Sequence, residues 1–154
     1  MVHALDEIWR VLTSNGVLID IRPLADRWPV EVVSTRSFKE TGRLIDLAEQ
    51  VNADEASAKA LKEMELHSWF IREQEEFFPF FYSWDTSSEM EEFIAEEWTD
   101  FAGLSDNVKQ TTRSAWAISD ADSRVRVRVK MLITRWKKNQ QETMNEHRHH
   151  RRTS

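Results

Sequence analysis

The stretch that decides the fold is HALDEIWRVLTSNGVLIDIRP, residues 3–23. Its first ten residues carry apolar side chains at the spacing of one helix face, which predicts an amphipathic helix over residues 3–12: Leu5, Ile8, Trp9 and Leu12. Residues 13–16 indicate a turn. Residues 17–21 are almost continuously apolar and end at Arg22 and Pro23, a pattern typical of a strand that is covered on both faces, as in a parallel sheet.

This helix, its Asn15-Gly16 turn and the following strand resemble a segment in the second half of class I S-adenosylmethionine-dependent methyltransferases. In that family a helix ending in an Arg-Val-Leu-x-Pro-Gly-Gly-like turn leads into the fifth strand of a Rossmann-like sheet. The resemblance implies that residues 17–21 form the fifth strand, residues 75–84 the sixth and residues 124–135 the seventh. The seventh strand of the family is antiparallel and inserts between the other two. Two predicted helices before it would then be an insertion that covers substrate.

The family holds its cofactor mainly on a glycine-rich loop that lies upstream of this helix. The chain has three glycines, Gly16, Gly42 and Gly103, and no two are close together, whereas a cofactor-cradling loop needs glycines where its backbone approaches the ligand. The resemblance therefore implies a methyltransferase-related protein without its own S-adenosylmethionine-binding loop, inactive alone or one half of a complex. We expect no cofactor on this chain alone and S-adenosylmethionine if the other half is supplied. Whether it is an enzyme, and which residues are catalytic, stays open.

The remaining pattern predicts an α/β fold, or α+β after truncation, with a small mixed sheet and flanking helices. Residues 30–35 and 38–45 are expected to form a hairpin, and residues 75–84 a strand that Pro79 places at an edge. Three further helices are expected to begin at Asn52, Ser88 and Asp106, the first two with capping boxes to Glu55 and Glu91. Residues 123–135 alternate most cleanly and predict a strand. We expect one domain over residues 1–136 and a flexible basic tail over residues 137–154.

Composition excludes several classes of function. The 154 residues contain no cysteine, so disulfides, thiol catalysis and cysteine-ligated metals are ruled out. No apolar run approaches the roughly 18 residues of a membrane helix, and no signal peptide is visible, so we expect a cytoplasmic protein. The net charge is −6, but residues 137–154 hold five basic and two acidic residues, which leaves −9 on the rest. Such an acidic body argues against nucleic-acid binding.

Asp20, Arg22 and Trp28 are the candidate substrate-binding residues. They lie at or just past the carboxyl end of a predicted parallel strand, where open α/β sheets place their ligands. The alternative is that Asp20 and Arg22 form a local ion pair and that Trp28 packs in its loop.

Three other groups of residues have a structural and a functional interpretation. The aromatic residues of 77–84 are typical of core packing, but they could line an apolar pocket. A basic strand face could contact phosphates, although cross-strand pairing with Glu73, Glu75 and Glu76 is favoured: Arg124, Arg126, Arg128 and Lys130. The histidines of the tail, His147, His149 and His150, are expected to belong to a flexible segment and not to a metal site. His67 is interpreted as a core histidine.

Without the fourth strand of the family, residues 17–21 would keep an open edge and an uncovered apolar face. Such edges pair with other chains, so we expect a homodimer, a separate polypeptide that supplies the missing half of the sheet, or a hairpin repacked against this strand. Two functions compete with the methyltransferase interpretation. One is a non-enzymatic, dimeric interaction or scaffold module; the other is a domain that binds a small apolar ligand, which a pocket beneath the aromatic strand would favour.

Overall fold

Helices and mainly antiparallel strands make up the chain, which confirms the α+β class. The computed structural model describes residues 2–139. The elements are α1 (Val2–Val11), β1 (Val17–Pro23), β2 (Pro29–Val33), β3 (Phe38–Arg43), β4 (Ile45–Asp46), α2 (Ala48–Leu66), β5 (Phe70–Trp84), α3 (Ser87–Glu97), β6 (Ala102–Gly103), α4 (Asp106–Ala117) and β7 (Arg124–Lys138). The predicted tail lies outside the described residues from position 140, and Lys137 and Lys138 belong to β7. Within the described residues, no helix is both long and apolar enough to cross a membrane.

The described chain divides into two compact units. Residues 2–22, 55–76 and 132–139 form the first unit, and residues 23–54 and 77–131 form the second. The helix α2 and the long strands β5 and β7 therefore contribute residues to both units. Each unit has a hydrophobic core of its own.

In the first unit, β7 lies between β1 and β5. The Lys138 N–H donates to the Gly16 carbonyl at 3.0 Å, and the Asn139 N–H donates to the Trp69 carbonyl at 2.9 Å. Both bonds join the end of β7 to the starts of its neighbours, so β7 runs antiparallel to each. The helices α1 and α2 cover one face of these strands, and the core comprises Leu5, Ala60, Met64, Phe70 and Trp136.

The expectation that residues 17–21 are covered on both faces is wrong. Burial alternates along β1, because Leu18 packs on the helices whereas Ile19 and Ile21 point away and stay 47% and 55% exposed. On β5, Ile71 is likewise 52% exposed beside the buried Phe70. The apolar run of β1 is therefore half covered within this unit.

In the second unit, β2 pairs antiparallel with both β3 and β7. The β2–β3 hairpin confirms the predicted hairpin, and its register shifts by one residue between Val30 and Glu31. The helices α3 and α4 contribute to a core that is centred on the valines of β2 and β7: Val30, Val32, Val125, Val127 and Val129. The short strands β4 and β6 form a separate ladder. Because β2 pairs with β7, the hairpin does not supply the partner expected for residues 17–21.

Three predicted helix starts are wrong in detail. Helix α3 is capped by Thr86, whose hydroxyl accepts from the Glu89 N–H while the Glu89 carboxylate accepts from the Thr86 N–H, so the capping box lies two residues before the predicted one. Helix α4 is capped by Ser105. Helix α2 begins at Ala48 and not at Asn52, since the Val51 N–H already donates to the Leu47 carbonyl.

The strand β7 changes its buried side along its length. In its first half the buried residues are odd-numbered, ending with Val129. In its second half they are even-numbered: Leu132, Thr134 and Trp136. The buried positions therefore shift by one residue after Val129, and Met131 and Ile133 are only partly buried.

Candidate functional site

The two sides of β5 in the second unit carry aromatic side chains in different surroundings. Phe77 and Phe81 lie on one side, where the Lys130 ammonium is 5.2 Å from the Phe77 ring and the Arg126 guanidinium is 4.3 Å from the Phe81 ring. Phe80 and Tyr82 lie on the other side and line a cleft. This alternation follows from the two-residue period of a strand.

The cleft has a volume of about 440 Å³ and lies wholly within the second unit. Its lining is mostly apolar and comprises Pro23, Trp28, Gln50, Phe80, Tyr82, Glu97, Trp98, Phe101, Val129 and Met131. The residues Phe80, Tyr82 and Phe101 are 47%, 37% and 41% exposed. The cleft is therefore open to solvent, and its size is within the range of small-molecule sites.

Trp98 is the centre of the aromatic wall. Its ring meets Tyr82 edge-on at 5.0 Å between centroids and Trp28 edge-on at 5.3 Å, an arrangement that rings prefer because of their quadrupoles. Trp98 also ends α3, and its carbonyl accepts hydrogen bonds from the N–H groups of Phe101 and Ala102, both at 3.0 Å. The turn that carries Phe101 is thus fixed by the residue whose ring forms the wall.

Trp28 and Gln50 are held by hydrogen bonds at the cleft. The Trp28 indole donates to the Leu24 carbonyl at 2.8 Å. Gln50 is buried, and its Nε2 donates to the Asp54 carboxylate at 3.2 Å. Asp54 also accepts from the Ala25 N–H at 2.5 Å. Trp28 and Gln50 therefore have defined orientations, which a binding site needs.

The three candidate residues from the sequence do not form one group. Trp28 lines the cleft of the second unit, whereas Asp20 and Arg22 lie in the first unit and pair with each other. The Asp20 Oδ2 and Arg22 Nε atoms are 3.3 Å apart without the alignment of a hydrogen bond, and both atoms are buried.

Burial raises the pKa of Asp20, and the nearby Arg22 charge opposes this only partly. A raised pKa means that the folded state holds the Asp20 proton more tightly than the unfolded state. The stability from this proton is fully present below the unfolded pKa and is lost as the pH rises through the folded pKa.

We therefore expect the stability of Asp20→Asn, relative to that of the unmodified protein, to increase between pH 4 and pH 7. Urea denaturation at several pH values measures this difference. Arg22→Gln removes the charge that opposes the shift, so its stability should continue to fall at higher pH than that of the unmodified protein. If the stability of Asp20→Asn depended on pH as that of the unmodified protein does, this assignment would be contradicted.

The basic face of β7 is neutralised by acids, but the predicted partners are wrong. Arg126 and Arg128 bind the buried Glu31 of β2 at 2.6 and 2.8 Å. Arg124 pairs with Asp85 at 2.5 Å, and Lys130 pairs with Asp26 at 3.5 Å. Glu73 and Glu75 instead pair with Arg135 and Arg72. The sequence alternation located this face correctly, but the tertiary pairing of β2 with β7 decides which acid meets it.

The predictions for the histidines have different outcomes. His147, His149 and His150 lie outside the described residues. His67 is exposed and stacks on Trp69 at 5.4 Å, so its prediction as a core histidine is wrong. Within residues 2–139, no group of three or more His, Asp or Glu side chains is arranged to hold a metal ion.

Sequence reasoning missed Gln50, Glu97 and Phe101 as lining residues. Their separation along the chain gives no local signal, because the β4–β6 ladder and the Leu47 N–H to Phe101 carbonyl bond bring them together. The density of aromatic residues near β5 was the only available indication. Comparisons of the chain with protein-family models, with curated proteins and with solved structures give no match.

Proposed function

We propose that the chain binds a small, mainly apolar ligand in the cleft of the second unit. The observation that carries this proposal is the cleft itself, a space of about 440 Å³ with five aromatic side chains and few polar groups in its wall. An apolar ligand that leaves water for such a wall gains roughly 25 cal/mol for each Å² of apolar surface that is buried. The fixed positions of Trp28 and Trp98 favour binding because little side-chain freedom is left to lose.

Binding of the neutral fluorescent probe N-phenyl-1-naphthylamine tests this proposal. We expect saturable binding, and we expect Phe80→Ser to weaken it about tenfold, since a ring contact in the wall is lost. Phe80 is already half exposed, so this change should leave the fold intact.

Phe77→Ser is the matched control, because Phe77 is on the same strand, is 57% exposed and does not line the cleft. Its probe affinity should equal that of the unmodified protein. Absence of saturable binding, or equal losses in the two variants, would contradict a ligand site at the cleft.

A second candidate is a methyltransferase-related protein that acts with another polypeptide. The observation that favours it is the strand order of the first unit, where an antiparallel β7 separates β1 from β5. This is the order that the resemblance implies for the fifth, seventh and sixth strands. The exposed Ile19, Ile21 and Ile71 are further support, because a bare apolar sheet face is stabilised when another chain covers it. The covering chain would be a second copy or a separate polypeptide.

Calorimetric titration with S-adenosylmethionine, with the mass measured by light scattering, tests the second candidate. We expect no binding by the chain alone, since its glycines are isolated in the sequence. Micromolar binding by the monomer would contradict the need for a partner. A stable dimer without any response to S-adenosylmethionine would favour the scaffold function instead. An Ile19→Ser, Ile21→Ser variant should reduce self-association if this face is the contact.

A further inference from the structure

We infer that the ligand of the aromatic cleft is a small organic ammonium cation, such as a methylated amine; this rests on the proposed binding function. Five aromatic residues and one acidic residue line the cleft: Trp28, Phe80, Tyr82, Trp98, Phe101 and the exposed Glu97. Glu97 is the only charged residue of the lining. Aromatic faces attract cations through the negative potential above the ring, and tryptophan does so most strongly.

None of the cationic side chains that the structure describes makes a cation–π contact with a ring of this wall. Among the described residues, the cation–π contacts involve the rings of Trp9, Phe38, Phe77, Phe81 and Trp136, and none of these lines the cleft. Within residues 2–139, none of the ion pairs involves Glu97. Among the described residues, the aromatic side chains and the acidic side chain that line the cleft therefore have no cationic partner.

The opposite side of β5 provides an internal comparison. Phe77 and Phe81 have Lys130 and Arg126 next to their rings, and these two cations are also paired with Asp26 and Glu31. On that side, the protein itself combines an aromatic ring, a cation and a carboxylate. On the cleft side, the described residues provide aromatic rings and a carboxylate but no cation, so an external cation would complete the same combination.

Charge also disfavours the neutral and anionic alternatives. A neutral ligand that covers Glu97 would remove water from a carboxylate that has no ion-pair partner among the described residues, which is unfavourable. An anion would meet that carboxylate on a chain whose net charge is −6. A trimethylammonium group avoids both costs, because its methyl groups fit an apolar wall while its charge is spread over them.

Choline and its uncharged isostere 3,3-dimethylbutan-1-ol test this inference, since they share shape and differ in charge. We expect chemical-shift titrations of the tryptophan indole N–H signals to give at least tenfold tighter binding of choline. Glu97→Gln should weaken choline binding about fivefold and should not weaken binding of the isostere. Glu96→Gln is the matched control, because it removes the same charge from an exposed neighbour that does not line the cleft.

The outcomes separate this inference from the proposed function. Equal affinity for choline and its isostere, with the naphthylamine probe still bound, would overturn the cationic ligand and keep the apolar site. Equal weakening by Glu97→Gln and Glu96→Gln would mean that the charge of the whole body attracts choline, which also overturns it. If the unmodified protein bound neither choline, nor its isostere, nor the naphthylamine probe, the ligand site itself would be refuted.

Discussion

Replacing Arg126 and Arg128 together with methionine is expected to lower the free energy of unfolding by about 3–5 kcal/mol, the cost of leaving a buried charge without its partner. Glu31 is fully buried on β2, and these two arginines are its ion-pair partners at 2.6 and 2.8 Å. Methionine keeps much of the apolar stem of arginine, so the change in the free energy of unfolding should come mainly from the lost charges and not from lost packing. Urea denaturation followed by tryptophan fluorescence gives the value.

The triple variant that adds Glu31→Met makes this prediction specific. Because an apolar replacement of a whole buried ion pair is often neutral, most of the lost stability should return. Arg124→Met is the surface control: its pair with Asp85 is exposed on both sides, so it should cost less than about 1 kcal/mol. A triple variant as unstable as the double variant would show that the arginines act through packing.

Gly42→Ala is expected to destabilise the protein by about 1–3 kcal/mol, the usual cost of overpacking a filled core. Gly42 lies on β3, and a Cβ atom built on it would be 2.6 Å from one methyl carbon of Val108 on α4. Val108 belongs to the core of the second unit and cannot move freely. The denaturation midpoint of the single variant measures the effect.

Two further variants show whether the cause is this contact. Val108→Ala in the Gly42→Ala protein should cost less than the sum of the single changes, since it removes the atoms in conflict. Gly103→Ala should be mild, because its nearest neighbours would lie 3.5 Å away at ordinary contact distance. Equal destabilisation at Gly42 and Gly103 would rule out the steric explanation.

The elements with regular alternation could be predicted from the sequence. The valines and arginines of β7 revealed its first half, and the β2–β3 hairpin was found from its two short strands. The start of β5 was missed, because residues 70–74 do not alternate and follow a helix without a glycine or proline. The turn before it contains Ser68 at φ 58°, a left-handed conformation that a serine in the sequence does not predict.

Capping residues show a second limit of local sequence. Thr86 and Ser88 are both followed by glutamate three residues later, so each fits a capping box. Which of the two forms the capping box depends on tertiary structure. The strand β5 ends at Trp84, and the Glu91 carboxylate binds Arg113 of α4. The partner of Glu31 was unpredictable for the same reason, since ninety-five residues separate it from Arg126.

The turn fixed by the Trp98 carbonyl has a kinetic consequence. Because the N–H groups of Phe101 and Ala102 are both bound to that carbonyl, the wall exists before any ligand arrives. The half-exposed rings of Phe80 and Phe101 leave the entrance open. Association should then be limited by diffusion, without a slow opening step. Differences in affinity between ligands would then arise almost entirely from differences in their dissociation rates.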